Sequence, residues 1–532
     1  MSVTAVEINN EERDDEVTPK GRVFLVGAGP GDPGLITVRG RQLLESAEVV
    51  IYDYLANRQL LRYVPAAAER IYAGKRGDGQ HTHSQEEINN LLVDRALAGR
   101  TVVRLKGGDP FIFGRGGEEI EALARENILF EVVPGVTSAS AAATYAGIPI
   151  THRAFTSSVA FITGHEDPTK ENSHIAWDKL ATGVGTIVIY MGIKNLDSIA
   201  GNLIRHGRAP ETPVAVVRWA STPEQRTVTG TLATIAEIVR DTSLKPPAIV
   251  VVGEVVHLRD TINWFEKRPL FGKRLLVTRT REQASDLVVR LEGLGAQCLE
   301  YATIRIEPPP SLEEADREIG RLDRYDWLLF TSVNAVTFFF DRLFHQGLDV
   351  RALGSAAIGV VGKATAEALR SYGLKADLMP ADFTGDGLAE ALVRQGVSGR
   401  KILIPRALHA RESLPEILRR AGAEVTVAPV YHNVLPTEFD GVEARAALRA
   451  EFEEKRIDMV TFTSSSTVAN FVKLLDLDGP AEVAELLRGV AVAAIGPITG
   501  ETARKLGLTV HVQPESHTIP ALVRAINAYF RK

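Results

Sequence analysis

From Gly21 to about Phe265, short apolar runs alternate with longer segments whose apolar positions recur at helical spacing. The runs include RVFLVG, EVVIYD, TVVRLK, LFEVVP, VAFITG, TIVIYMG, PVAVVRW and PAIVVVG. Between them, SQEEINNLLVDRALAG sets Ile88, Leu91, Leu92 and Ala96 on one helical stripe. Strands alternating with helices predict an α/β architecture with a largely parallel sheet. The segment INWFEKRPLFGKR (262–274) marks a boundary, with a helix end, a proline and a fresh strand RLLVTR.

The second half repeats itself. FTSVNAVTFF (330–339) returns as FTSSSTVANF (462–471), and IGVVGKATAEALRSYGLKADLMP (358–380) as AAIGPITGETARKLGLTVHVQP (493–514). GKRLLVTRTREQASDLVVRLEGLGAQCLEY (272–301) likewise returns within 399–431. The half therefore reads as a pair of similar α/β units with parallel sheets, joined by hinges near EPPP (307–310) and HNVLP (432–436). The expected organisation is a lead-in over 1–20, a first domain over 21–265, a linker over 266–272 and a second domain over 273–532. The second domain divides into about 273–306 plus 434–532, and 307–433. A cleft between two like units is a natural small-ligand site.

Bulk properties narrow the function class. At 532 residues with a net charge of −6, the chain has no basic field for nucleic acid, and no nucleic-acid partner is expected. No apolar run reaches membrane-spanning length, so no membrane partner is expected. The acidic N-terminus has no apolar signal core and reads as a disordered lead-in. The single cysteine, Cys298, allows no intrachain disulfide and reads as a small residue of a buried strand, which fits a cytoplasmic setting.

The first strand enters a glycine loop, VFLVGAGPGDPGLIT (23–37). A dinucleotide fingerprint needs glycine where Asp32 stands, and Pro30 has no N–H to give a pyrophosphate. No G-K-[ST] follows, which excludes a P-loop. The loop suits a rigid wall against a ligand without phosphate. Three further loops follow strands: KGGDPFIFGRGGEE, whose Gly107 and Gly108 admit close backbone approach beside Asp109; PGVTSASAAATYAG, a turn and a helix of small residues; and YMG at 190–192. The pair of histidines in HTH (81–83) lacks a third ligand, and no metal is expected.

Taken together, GAGPGDPGLIT, YDYL, GKR, VVRLKGGDPFIFGRGGEE, PGVTSA, GIPITHR, YMG and LRDTINWF resemble the uroporphyrinogen-III C-methyltransferases of the tetrapyrrole-methylase family, over about 21–265. The resemblance implies a two-subdomain methylase fold, a homodimer formed through this domain, and S-adenosylmethionine as methyl donor. It places cofactor contacts at Pro30, Gly107, Gly108, Asp109, Ile112, Thr137, Ser138 and Met191, with Ala220 and Ala248 completing the pocket. Asp53 and Lys75 become proton acceptor and proton donor; equally, Asp53 orients a pyrrole N–H and Lys75 neutralises substrate carboxylates. Arg76, Arg104, Lys106, Arg115 and Arg153 are candidate contacts for the substrate's carboxylates, or members of structural ion pairs.

LLVTRTREQ, LFTSVNAV, VGKATAEAL, VYHNV, TFTSSSTVANF and AAIGPITGETARKLGL resemble uroporphyrinogen-III synthase, over about 272–530. That family closes hydroxymethylbilane to uroporphyrinogen III with inversion of ring D and loss of water. Tyr431 matches the tyrosine proposed to help the hydroxyl leave. Thr331, Ser332, Thr463, Ser464 and Thr499 stand at helix or turn starts, each able to offer a hydroxyl or helix-start N–H to a substrate carboxylate, or else an N-cap, the reading that Thr331 and Thr463 favour. Arg279 and Arg406, at equivalent strand ends, are candidate carboxylate binders. The two resemblances together imply a bifunctional enzyme yielding precorrin-2 for sirohaem or cobalamin. The alternatives are a methylase joined to a degenerate synthase-like binding module, and a methylase acting on another corrin precursor.

Overall fold

Strand β1 (Arg22–Gly27) buries every residue after its first, because both faces of its sheet are covered. The computed structural model describes residues 20–74, 83–165, 175–278, 281–410, 412–434, 442–477 and 479–531. The lead-in before Lys20, and Lys75, Arg76, His81 and Arg279, lie outside the described residues. The chain divides into two units, Met1–Lys273 with Leu291–Gln297, and Arg274–Arg290 with Cys298–Lys532.

In the first unit, β1 is joined by β2 (Val49–Tyr52), β3 (Glu69–Tyr72), β4 (Thr101–Lys106) and β5 (Leu129–Val133) in the order β3–β2–β4–β1–β5. All four pairings are parallel. Val23 and Leu25 join Val49, Ile51, Val102, Leu92 and Leu123 in the core on one face. Phe24 and Val26 join Leu44, Val50, Val103 and Leu105 on the other. Parallel strands buried on both faces read as unbroken apolar runs, as these do.

A second sheet contains β6 (Val159–Thr163), β7 (Thr186–Tyr190), β8 (Pro213–Arg218), β9 (Arg226–Thr231) and β10 (Ala248–Val252), ordered β6–β7–β10–β8–β9. Here the expectation of a largely parallel sheet needs correction. Only β6–β7 is parallel, whereas β7–β10, β10–β8 and β8–β9 are antiparallel. The short turn between Arg218 and Arg226 suits a hairpin, since a parallel return needs a longer crossover. Doubly buried strands hide this difference, because burial removes the alternation that direction would otherwise shape. The helix Ser138–Tyr145, which follows β5, lays Ala139, Ala142 and Ala143 onto Val188, Ala215 and Val251 of this sheet. Its small side chains let helix and sheet approach closely. Residues 266–272, expected as a linker, are packed: Leu270 is fully buried, and the Arg268 guanidinium lies 4.6 Å from the Trp264 ring centroid.

The second unit contains two sheets of matching order. One runs β12 (Gln297–Glu300), β11 (Arg274–Val277), β18 (Met459–Phe462), β19 (Ala491–Ala494). The other runs β13 (Arg305–Glu307), β17 (Glu424–Val434), β16 (Lys401–Ala407), β14 (Trp327–Phe330), β15 (Ala357–Val360). The sequence repeat pairs β11 with β16, β18 with β14 and β19 with β15, and these occupy equivalent places. Even the closing bridges recur: Val360 N–H donates to Leu378 O and Ala494 N–H to Val512 O, both at 2.9 Å. At the expected hinges the two connecting segments pair with each other. Arg305, Ile306 and Glu307 lie antiparallel to Val434, Asn433 and His432. Cys298 is buried in β12. No helix among the described residues is long and apolar enough to cross a membrane.

The alanine face of Ser138–Tyr145 leaves no room for growth. Ala142→Leu is expected to destabilise the first unit by about 1–3 kcal/mol through overpacking, read as a lower denaturation midpoint. Thr144→Ala, on the exposed side of the same helix, is expected to stay within about 0.5 kcal/mol of the parent.

Candidate functional site

Strands β4, β1 and β5 are neighbours, and the loops at their carboxyl ends meet backbone to backbone. Ala28 N–H donates to Lys106 O (2.7 Å), Gly29 N–H to Gly108 O (3.2 Å) and Gly108 N–H to Gly29 O (2.7 Å). A Cβ on Gly27 would stand 2.5 Å from Gly135 Cα, and one on Gly135 2.3 Å from the Gly108 carbonyl oxygen. These glycines exist because three backbones meet. The first loop is no phosphate nest, since Pro30 offers no N–H and Asp32 is engaged in structure. Asp32 Oδ1 caps the short helix Pro33–Leu35 by accepting Gly34 N–H (2.8 Å). Its Oδ2 accepts the Tyr145 hydroxyl (3.2 Å), and its N–H donates to Ser221 Oγ (3.0 Å). Burial, and then the Asp32 charge, push the Tyr145 phenol up to about 12.

The expected cofactor residues gather around this edge. Gly108 takes φ +70°, which favours glycine. Asp109 ties the second loop to the third: its Oδ1 accepts Phe111 N–H (2.8 Å) and its Oδ2 accepts Gly135 N–H (3.0 Å). Thr137 precedes the helix Ser138–Tyr145 without capping it, because its hydroxyl is bonded to the Tyr190 hydroxyl at 2.5 Å. Burial raises the Tyr190 phenol, which keeps it neutral. Ile112 and Ala220 pack on the same apolar cluster as Tyr190. Ala248 brings its backbone next to this group, since Ile249 pairs with Tyr190, but its side chain packs on the opposite face of the sheet. Met191 is half exposed. The rim carries strain: Phe113, Arg115, Met191, Trp219 and Ser221 have positive φ without being glycine, a conformation that clusters at functional sites.

Asp53 leaves the end of β2 on the same sheet face as Ile51, two residues earlier. Its Oδ1 accepts Leu55 N–H (3.0 Å) and its Oδ2 faces Arg104 Nη2 (3.3 Å). The Asp53 side chain keeps 24% exposure, so part of it stays open to a ligand. Arg104 and Lys106 do not ring a cleft. Both are buried, with Arg104 Nε 3.2 Å and Lys106 Nζ 2.7 Å from Glu119 Oε1. Arg115 pairs with Glu118 on the surface, and Arg153 is exposed. Sequence reasoning missed Glu119. The alternation in TVVRLK, with Arg104 and Lys106 on the inward face of Val102, was the available signal for a buried counter-ion.

In the second unit Tyr431 is buried against Phe338, with its hydroxyl 3.1 Å from Ser332 Oγ. Burial raises the Tyr431 phenol, so it is held protonated as a donor. Ser332 caps the helix Val333–His345, its Oγ accepting Ala335 N–H. The N-caps are thus Ser332 and Ser464, one residue beyond Thr331 and Thr463, because the helices begin at Val333 and Ser465. Their backbones match closely, φ −155° and ψ 159° against φ −158° and ψ 160°. Thr331 and Thr463 are half-buried just before them. Thr499 is buried in the first turn of Pro497–Lys505, and Thr365, which sequence reasoning passed over, is its buried counterpart in Lys363–Arg370. Those two helices start at Gly496 and Gly362 without side-chain caps, leaving N–H groups free for an anion. Arg406 is buried and paired with Glu412.

Two family descriptions match the chain: Tetrapyrrole (Corrin/Porphyrin) Methylases over residues 22–236, and Uroporphyrinogen-III synthase HemD over residues 285–524. Porphyrin biosynthesis protein HemD of Ruminiclostridium josui is 40% identical over 503 residues, covering 94% of this chain and 97% of that protein. The uroporphyrinogen-III C-methyltransferase of Bacillus subtilis (strain 168) is 45% identical over 337 residues, covering 63% of this chain and 69% of that protein. The S-adenosyl-L-methionine-dependent uroporphyrinogen III methyltransferase of Methanosarcina barkeri (strain Fusaro / DSM 804) is 56% identical over 242 residues, covering 46% of this chain and 94% of that protein.

The Asp32–Tyr145 bond generates a pH test. Unfolded Tyr145 ionises near 10, whereas the folded phenol holds its proton to about 12. Its stabilising contribution is therefore full below pH 10 and lost as pH rises through about 12. Denaturation midpoints measured across that window are expected to fall with pH, and to fall less steeply in Tyr145→Phe.

Proposed function

This chain belongs to the porphyrin-biosynthesis family that joins a tetrapyrrole methylase to a uroporphyrinogen-III synthase, and we propose that it carries out two consecutive steps. It closes hydroxymethylbilane to uroporphyrinogen III, then methylates that ring at C2 and C7 to give precorrin-2, for sirohaem or cobalamin. The observation that carries the proposal is the pairing on one chain of a carboxylate beside the strand-end loops and a buried, protonated tyrosine in the repeated unit.

The residues of the first site fit S-adenosylmethionine by their chemistry. Backbone at Pro30 and Gly107–Asp109 would meet its polar groups, and the uncapped helix start at Thr137–Ser138 would receive its carboxylate. Ile112, Met191, Ala220 and the backbone at Ala248 would wall its apolar parts. When bound, it supplies an electrophilic methyl group. Asp53 then orients the reacting pyrrole and accepts the proton that ring carbon or nitrogen must lose after each new carbon–carbon bond. Lys75, beyond the described residues, would serve the substrate's carboxylates or a proton step. Much of the acceleration comes from holding two reactants in line.

In the second site the substrate's own pyrrole pushes out its hydroxyl, so the protein's part is modest. Ser332 Oγ already accepts Ala335 N–H, and its own proton can go to the Tyr431 oxygen. Tyr431 is then free to donate its proton to the leaving hydroxyl, which departs as water. Helix starts at Ser332, Gly362, Ser464 and Gly496 hold carboxylates while ring D inverts.

The test is to supply hydroxymethylbilane and S-adenosylmethionine anaerobically and follow absorbance and mass. A dimethylated type III ring is the expected product. Methylation of supplied uroporphyrinogen III alone would make the second unit a binding module; no reaction with either substrate would move the methylase to another corrin precursor. Asp53→Asn is expected to slow methylation roughly 100-fold without slowing ring closure, and Tyr431→Phe to raise the share of the type I ring.

A further inference from the structure

The first unit buries three charges at the carboxyl edge of its first sheet, Arg104, Lys106 and Glu119, each at most 5% exposed in the side chain, with the partly exposed Asp53 at their rim. Strand alternation puts Asp53, Arg104 and Lys106 on the face that carries Ile51 and Val102. Glu119 descends onto them from the first turn of the helix Gly116–Arg125. Glu119 Oε1 receives Lys106 Nζ (2.7 Å), Arg104 Nε (3.2 Å) and, at 3.4 Å, Gln85 Nε2. Glu119 Oε2 is buried with no hydrogen-bond partner among the described residues. Arg104 Nη1 reaches the carbonyls of Ile51 (3.4 Å) and Leu105 (3.2 Å). Its guanidinium is thereby pinned on three sides, and the one nitrogen left, Nη2, is presented to Asp53 (3.3 Å).

We propose that Glu119 is a positioning residue for methyl transfer, acting through Arg104 to fix the orientation of the Asp53 carboxylate. The inference rests on the role given to Asp53 above. The geometry favours it over simple stability. A buried ion cluster over an apolar layer adds little that hydrophobic side chains would not, and here a carboxylate oxygen has no hydrogen-bond partner among the described residues. What the cluster does supply is direction. A planar guanidinium held at Nε and Nη1 cannot swing, so the carboxylate facing Nη2 is held in one rotamer. Charge balance supports the arrangement, since two basic side chains face two carboxyl groups. Burial, then the neighbouring Arg104, lower the Lys106 ammonium, and Glu119 opposes both.

The test supplies uroporphyrinogen III and S-adenosylmethionine directly to the full chain and separates kcat from KM. Glu119→Gln is expected to lower kcat for methylation about 100-fold while KM for both substrates stays unchanged. The double variant Lys106→Met, Glu119→Gln removes the buried pair whole. It is expected to regain the melting temperature that the single variant loses, yet to remain as slow. Should the single variant not fold, the double variant carries the same comparison. Ring closure of hydroxymethylbilane, measured on the same preparations, is expected to be unaltered. A double variant that methylates at the parent rate, or a loss that lies in KM, would overturn the assignment. A parent chain that fails to methylate uroporphyrinogen III would instead overturn the proposed function.

Discussion

The first unit depends on a steric constraint at one edge of one sheet. Three adjacent parallel strands release their chains at the same end, and the loops have space only for backbone. Gly27 and Gly135 meet there within distances that exclude a Cβ, Gly108 takes a positive φ beside them, and two reciprocal hydrogen bonds between Gly29 and Gly108 lock the contact. From this junction the helix of small residues leaves for the second sheet, and Asp109 ties the second loop to the third. The edge is thus rigid before any ligand arrives, which lowers the ordering cost of binding.

The second unit reaches a site by repetition. Each lobe offers two helices starting directly from a strand end, one capped by serine and one by glycine, with nearly identical backbone angles. Between the lobes, the two connecting segments pair as an antiparallel ribbon. Tyr431 stands on β17 immediately before the ribbon residues His432–Val434. The tyrosine is therefore carried by the element that joins the lobes, and any change in their relation passes through its neighbour.

The two units treat charge differently. The first buries a balanced ionic cluster beneath Asp53, while the second pairs Arg406 with Glu412 and offers uncharged donors, a phenol and helix-start N–H groups.

Much of this was legible in the chain itself. Apolar runs located the strands, the internal repeat declared two like lobes, and the spacing of Gly27, Pro30 and Asp32 excluded a phosphate loop, since these are local or self-comparing signals. The order of motifs carried the family. Other features came only from tertiary structure. The mixed second sheet was hidden because its central strands β7, β10 and β8, buried on both faces, read alike in either direction. The caps fell on Ser332 and Ser464 rather than their threonine neighbours because the helices begin at Val333 and Ser465, a start that packing rather than composition decides. Arg104 and Lys106 stood open between substrate contacts and structural ion pairs until Glu119, more than ten residues on, came down onto them. A charged side chain's partner is chosen by which helix packs over its strand, and one sequence, read locally, does not contain that distance.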